Sequence, residues 1–593
     1  MKNNESGTII TGARILVESL IEHGVDTIFG YPGSAVLDIY EELYRQSGRI
    51  RHILVSHEQH AAHAADGYAR SSGKVGVCLA TSGPGAANLV TGIATAYVDS
   101  VPVIAITGNV SIPLLGKDSF QEVDITGITM PIVKHNWIVE DVCDLAEIIR
   151  EAFIVVKSGR PGPVLIDIPK NISSASCMTP SRLTPSAQKD SLAAAGRSSR
   201  LWAKNNRETF NEADIDRAVS LIKNSKRPMI YAGGGVVLSG AENELKKLAE
   251  LLNAPVAMSL MGLGSFPGDH SLCTGLIGMH GTTASNKAVQ KTDLLIAVGA
   301  RFSDRVTSCI EPSLSQEGRD SQPKHFARCA KILHIDIDPA EINKNLPAAA
   351  SITGDAKSVL NRLNRKIPQN SLTEWNNEIE KWKTEVPKDH YRKTALHPRF
   401  VIQETAKMLG KETIVVTDVG QHQIWAAQFY PINNPRSFLS SGGLGTMGFG
   451  LGAAAGAKIA NPDKTVVLFS GDGCFRMNSA ELATLVKYGL PALIIIFNNR
   501  TLGMLRQWQK FFYNSHYSET DLDNRGPDFV KLADAYNVQA FRVTNEKTFL
   551  DALGKSVNIL SSGKPVLIEA IIDRDERVVP AVPAGKPLDE QIL

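Results

Sequence analysis

Two polar stretches that follow strand-like apolar runs carry the oxygen chemistry of a metal site. The run KTVVLFS ends in Gly471, Asp472 and Gly473, and the run PALIIIF ends in Asn498 and Asn499, so Asn499 falls 27 residues after Asp472. A carboxylate and an amide oxygen at the ends of two parallel strands can meet in space. They are hard ligands suited to Mg²⁺, which commonly also binds phosphate oxygens. The glycines let backbone approach a phosphate closely, and a helix starting after Gly473 offers it free N–H groups. Alone, GDG and NN read as ordinary turns; their pairing at this spacing argues for a site. A rival reading takes 443–448, GLGTMG, as a dinucleotide fingerprint with Asp472 some twenty-odd residues on, but it gives Asn499 no role.

A second candidate is Glu58, in SHEQHAAHAADGYAR. As a first-turn glutamate it would serve the helix dipole. His57, Glu58 and His60 do not make a zinc-protease motif, because position 61 is alanine where the second histidine is required. His60 and His63 read as helix histidines.

These residues need rigid elements behind them. Parallel strands buried on both faces read as short continuous apolar runs, each followed by a turn and a helical pattern. The pattern occurs in three blocks: VGVCLA to PGPVLIDIP, RPMIYAGGG to KILHIDID, and ETIVVTDVG to KPVLIEAIID. The fold class is therefore α/β, with three doubly wound parallel-sheet domains over 1–190, 208–360 and 395–593. A Ser/Ala-rich linker is expected at 173–207 and a charged helical connector at 361–393. Ligands in such sheets bind beyond the carboxyl ends of the strands, where Asp472 and Asn499 lie.

Composition narrows the function. The chain has 593 residues, too many for one core, and its net charge of +2 disfavours nucleic acid and membrane surfaces as partners. Neither a signal-peptide h-region nor a run of 18 apolar residues occurs. The seven cysteines (Cys78, Cys143, Cys177, Cys273, Cys309, Cys329 and Cys474) form no CxxC pair. That spacing argues against a zinc ribbon or a disulfide framework and suggests a reducing, cytoplasmic setting.

GDG followed by NN at this distance resembles the signature of thiamine-diphosphate enzymes. The stretches TSGPGAANLVTGIATAYVDSVPVIAITGNV, GKDSFQEVDITGIT, RPGPVLIDIPK, LIGMHGT, RFSDRVT, SGGLGTMGFGLGAA and LGMLRQWQKFFY together resemble the acetolactate synthase large catalytic subunit family. The resemblance spans nearly the whole chain outside the linkers. It implies decarboxylation of pyruvate and joining of the two-carbon unit to a second 2-keto acid, pyruvate or 2-ketobutyrate, on the route to branched-chain amino acids.

It also implies residue roles. Asp472, Asn499 and the Thr501 carbonyl would hold Mg²⁺. Gly420, Gln421, His422, Gly471, Gly473 and Cys474 would contact the diphosphate. Met447, beside Gly445, would wedge thiamine into its bent shape. Glu58 would share a proton with the pyrimidine of a cofactor bound to a partner subunit, its pKa raised by burial. Gly116 and Gln121 would border the reacting centre, Phe120 and Lys170 the access side, and Trp508 would favour the larger keto acid. FAD would contact Arg160, Gly233, Gly234, Gly235, Leu260, Met261, Gly278, Met279, His280, Arg301, Asp304, Arg305, Asp336 and Ile337. A homodimer or larger assembly follows, and the family suggests a small regulatory subunit.

Five positions depart from the family pattern: Ser34 for glycine, Lys117 for threonine, Cys474 for serine, and Ser303 and Ser308 in RFSDRVTS. None is a metal ligand or the acid. The remaining alternatives are a flavin-dependent pyruvate oxidase, a glyoxylate carboligase (which should lack the Glu58 equivalent), a nicotinamide-dependent dehydrogenase and a silent paralogue.

Overall fold

The computed structural model describes residues 8–179, 210–308, 325–369, 373–385, 396–523 and 526–592. It contains three six-stranded sheets, and every neighbouring pair of strands within them is parallel. The first sheet runs in the order Arg51–Leu54, Thr27–Gly30, Gly76–Ala80, Val103–Asn109, Val164–Pro169, Asn136–Ile138. The third repeats that order with Phe438–Leu439, Ile414–Thr417, Val466–Gly471, Leu493–Asn498, Val566–Ile571 and Gln539–Val543. In both, the order in which strands are laid down reverses at the adjacent first and third strands, which opens a crevice there. The second sheet has its strands in the order third, second, first, fourth, fifth, sixth, the arrangement of dinucleotide-binding sheets.

The central strands are mostly apolar because helices cover both faces, with Asp167 a buried exception. Gly76–Ala80, Val164–Pro169 and Leu294–Val298 are buried at every residue. One face of the first sheet shares a continuous core with one face of the third, including Phe29, Ala61, Ile414 and Leu451. The link is a pair of small-residue helices, Glu58–Ser72 and Gly450–Ala460. A Cβ on Gly67 would collide with the Ala453 backbone, and one on Gly456 with the Ala64 carbonyl. The helices thus touch through their main chains, which fixes the helix bearing Glu58 against the third domain.

Three expectations need adjustment. The linker reading lies mostly outside the described residues, but its first part is built: Ser176–Thr179 pairs antiparallel with Thr8–Thr11. The connector is not a free spacer. Ala356–Lys366 buries Val359, Leu360 and Leu363 in the second domain, and the following helix Thr373–Thr384 returns Trp375, Ile379 and Trp382 to the same domain. Cys143 and Cys177 are joined as a disulfide, while Cys78, Cys273, Cys329 and Cys474 are free. The antiparallel pairing at Ser176–Thr179 carries Cys177 to the turn Val142–Asp144, a proximity that a sequence separation of 34 does not announce. Among the described residues no helix is long and apolar enough to cross a membrane.

Candidate active site

The third sheet builds a small pocket at its reversal point. Strand Ile414–Thr417 leads to Gly420, whose φ of 148° suits only glycine, and strand Val466–Gly471 leads to Asp472. Gly420, Gln421, His422, Met447, Gly471, Asp472, Gly473, Cys474, Asn499 and Thr501 all line a cavity of about 90 Å³. The structure therefore brings together the carboxylate, the amide and the residues that the resemblance assigns to the diphosphate. Left-handed backbone at Arg500 turns the chain between Asn499 and Thr501. Gln421 accepts a hydrogen bond from the Asn499 side-chain amide at 3.3 Å, which orients Asn499 Oδ1. The Cys474 thiol donates to the Val419 carbonyl at 3.0 Å and so ties two walls together.

The donor set fits a cation and an anion. Burial pushes the Asp472 carboxyl up to about 7, a site that a bound divalent cation would hold ionised. Burial lowers His422 to about 3, so its imidazole is neutral, and its Nε2 is buried with no protein partner. The ring packs against the Cα positions of Gly420 and Gly471, where a side chain would displace it. Among the described residues no three His, Cys, Asp or Glu side chains gather as a metal cluster. A site of one carboxylate, one amide and one carbonyl is the Mg²⁺ type rather than the zinc type.

Asp418 holds the roof. This fully buried carboxylate accepts from the Gly448 and Gly450 N–H groups at 3.0 Å each and from Ser470 Oγ at 2.7 Å. The backbone after Met447 is pinned by these bonds, so Met447 stays over the pocket. Sequence reasoning missed Asp418, although it lies within the run ETIVVTDVG that opens the third block.

A larger cleft of about 1130 Å³ adjoins the pocket and shares Val419, Gly420 and Met504 with it. It starts at the reversal of the second sheet, where Gly233 packs against Gly299 with no room for a side chain. Arg160, Gly233, Gly234, Gly235, Leu260, Met261, Met279, His280, Arg301, Asp304, Arg305, Asp336 and Ile337 line it, as do Gly445 and Trp508. Gly278 does not; its φ of 115° lets its Cα press against the Arg305 carbonyl behind the wall. Arg160 is held by Ser100 and Glu341, and Arg301 donates to the Val98 carbonyl at 2.8 Å. Burial raises Asp336 to about 6 and lowers His280 to about 4. Ser308, at φ 65°, occupies a conformation that favours glycine, and its hydroxyl donates to the Pro583 carbonyl at 3.2 Å. That contact accompanies the departure from glycine there.

The remaining candidates cluster at the first sheet. The turn after Gly76–Ala80 carries Gly83 against the Gln121 backbone and Gly85 against the Glu58 carboxylate. Asn88 donates to Glu58 Oε2 at 2.9 Å, a partner that lies within the quoted TSGPGAANLV stretch but was not singled out. Glu58 is half-buried, so the burial expected of it is incomplete within one chain. Glu122 staples the loop of Gly116 by accepting from the Gly116 and Ser119 N–H groups. Phe120 at 87 % exposure, Lys117 and Lys170 face solvent. None of Glu58, Gly116, Phe120, Gln121 and Lys170 lines either cavity, so one chain does not bring them to Asp472.

Comparison with known proteins places the chain in a family. The descriptions "Thiamine pyrophosphate enzyme, N-terminal TPP binding domain", "central domain" and "C-terminal TPP binding domain" match residues 10–128, 215–363 and 418–570. The chain is 46% identical to an acetolactate synthase of Arthrospira platensis, covering 97% of this chain and 96% of that one. It is 46% identical to a probable acetolactate synthase large subunit of Methanocaldococcus jannaschii, over 97% and 94% of the two chains. It is 45% identical to the acetolactate synthase large subunit of Corynebacterium glutamicum, over 97% and 89%. With the three domains in order and relatives similar along almost their full length, the chain belongs to the acetolactate synthase large-subunit family of thiamine pyrophosphate enzymes.

Proposed function

We infer that this chain makes 2-acetolactate from two molecules of pyruvate, or 2-aceto-2-hydroxybutyrate from pyruvate and 2-ketobutyrate, using Mg²⁺-bound thiamine diphosphate and FAD in a homodimer. The observation that carries the reading is the pocket in which Asp472, Asn499 and the unpartnered His422 Nε2 converge beside a long cleft. Thiamine diphosphate, when bound, supplies the nucleophilic carbon and the electron sink that loss of CO₂ from a keto acid requires. The protein's part is placement. Asp472, Asn499 and the Thr501 carbonyl would hold the metal, His422 and the 471–474 turn would hold the diphosphate, and Met447 would press on the thiamine from above the pocket. Glu58 would exchange a proton with the bound cofactor's pyrimidine, and Asn88 keeps its carboxyl aimed.

All residues lining the metal pocket come from the third domain. Glu58 is not among them, which supports a site completed by a second copy. For FAD, the support is the dinucleotide-type strand order, the Gly233 turn and the Arg301 and Arg305 side chains on the cleft. Binding of a small regulatory subunit follows only from the family, and a cytoplasmic location only from the composition.

Product analysis tests the reading. The purified protein is given pyruvate, thiamine diphosphate and Mg²⁺, with and without FAD. Acetolactate that depends on FAD is the expected result. Acetolactate without flavin removes the FAD assignment, acetate or acetyl phosphate with flavin reduction indicates an oxidase, and unconsumed pyruvate overturns the substrate.

A further inference from the structure

Glu481 belongs to no part of the site described above. It ends the turn Ser479–Glu481, which directly continues the diphosphate helix Asp472–Asn478. Its side chain is 1 % exposed and reaches out of the third domain into the first. Oε1 accepts from the Ser56 N–H at 2.8 Å and from the His57 N–H at 3.2 Å, and Oε2 accepts from Thr484 Oγ1 at 2.5 Å. Two neighbours grip the same segment: Ser56 Oγ donates to the Ala480 carbonyl at 2.9 Å, and the Leu54 N–H donates to the Tyr488 hydroxyl at 2.7 Å.

The gripped residues connect the strand Arg51–Leu54 to the helix Glu58–Ser72, and His57 is that helix's N-cap. Glu58 is the next residue. A carboxylate taking two consecutive peptide N–H groups fixes the direction in which the helix leaves them, and so the position of its first side chain. Charged acceptors make the stronger hydrogen bonds, and burial keeps water from replacing them.

We propose that Glu481 is the positioning residue for Glu58, acting through the Ser56 and His57 peptide groups. The proposal rests on the reading of Glu58 as the acid for a cofactor bound by the partner. It adds that each chain's diphosphate helix ends in the clamp that aims the acid it lends to the other site. A mere strut between domains would affect stability without distinguishing Glu58 from the rest of the first domain.

The test uses the full-length protein and two readouts. Amide hydrogen exchange across residues 54–60 is followed without added cofactor, and kcat, the pyruvate KM and thiamine diphosphate affinity are measured with it. Glu481→Ala is expected to speed exchange at Ser56 and His57 by at least about tenfold, with the other strands of the first sheet unchanged. It is expected to lower kcat by about thirtyfold or more, leaving KM and cofactor affinity within about threefold. Glu481→Gln keeps an oxygen acceptor at Oε1 and is expected to restore most of both properties. Should the alanine variant not fold, Thr484→Val, which removes the hydroxyl steadying Oε2, takes its place with the same readouts. Unchanged exchange at Ser56 and His57, or wild-type kcat in the altered clamp while Glu58→Gln is inactive, overturns the proposal. If Glu58→Gln is itself fully active, the reading of Glu58 fails, and the exchange measurement still decides whether the clamp exists.

Discussion

The guanidinium of Arg305 lies over the indole of Trp508, 5.6 Å from its ring centre. A cation from the second domain and an aromatic from the third thereby meet in the lining of the large cleft. Such a contact is worth about 0.5–2 kcal/mol and also keeps the indole in one orientation. Trp508→Leu is expected to reduce the preference for 2-ketobutyrate over pyruvate by about tenfold, which corresponds to about 1.4 kcal/mol of differential binding. Competition between the two acceptors in one reaction mixture measures it, and an unchanged product ratio removes Trp508 from specificity.

Glu58→Gln is expected to leave thiamine diphosphate bound and to lower turnover by about 100-fold or more, since glutamine cannot share the proton. Steady-state kinetics beside a cofactor titration separate the two effects. Full activity would sink the role given to this residue.

Asp472→Ala removes the only charged side chain assigned to the metal. Cofactor affinity is expected to fall by about 100-fold at a fixed Mg²⁺ concentration, with no gain from added FAD. Calorimetric titration of thiamine diphosphate checks this, and an unaltered affinity contradicts the metal assignment.

Arg70 is buried between Asp66 and Asp99 and also donates to the Ser440 carbonyl at 3.0 Å. Asp99 in turn accepts from the Gly442 and Gly443 N–H groups at 3.1 and 2.8 Å. Arg70→Met leaves two carboxylates without their cation, and breaking a buried pair in this way costs about 3–5 kcal/mol. Denaturant unfolding is expected to show a loss of that size, whereas a loss below about 1 kcal/mol would mean that water replaces the guanidinium.

Asp167 offers a pH test away from the metal. Burial raises its carboxyl from 3.8 to about 6, against the Thr107 and Asn109 bonds that favour ionisation. The folded state therefore holds a proton that the unfolded state releases. The stabilisation is fully present well below the unfolded value of 3.8 and is lost as pH rises through about 6. Relative to Asp167→Asn, the wild type is expected to lose about 2 kcal/mol between pH 4 and pH 7. Paired unfolding curves at the two pH values measure the difference, and parallel behaviour of the two proteins refutes it.

The parts legible in the sequence are those whose physics is local. Asp472 and Asn499 end apolar runs, and a buried parallel strand must end in a turn at the sheet edge, so residue type and position together expose the site. The Gly233 turn is visible for the same reason. Glu481 and Asp418 are invisible because their meaning lies in acceptors for backbone groups far away: Ser56 is 425 residues from Glu481 and Gly448 is 30 from Asp418. The Cys143–Cys177 bridge and the return of Trp375 and Trp382 to the second domain likewise depend on pairings that no spacing encodes. Gly278 shows the converse, a matched motif residue that shapes the wall from behind.

The main-chain contact of Gly67 with Ala453 and of Gly456 with Ala64 limits how such chains can be recombined. At these crossings each helix is the mould of the other, with no side chain between them to absorb a mismatch. A chimera that takes its first domain from one relative and its third from another inherits two half-moulds, and works only where both parents carry glycine at the same crossings. Exchanging the central domain leaves that joint intact, which makes it the natural module to transplant.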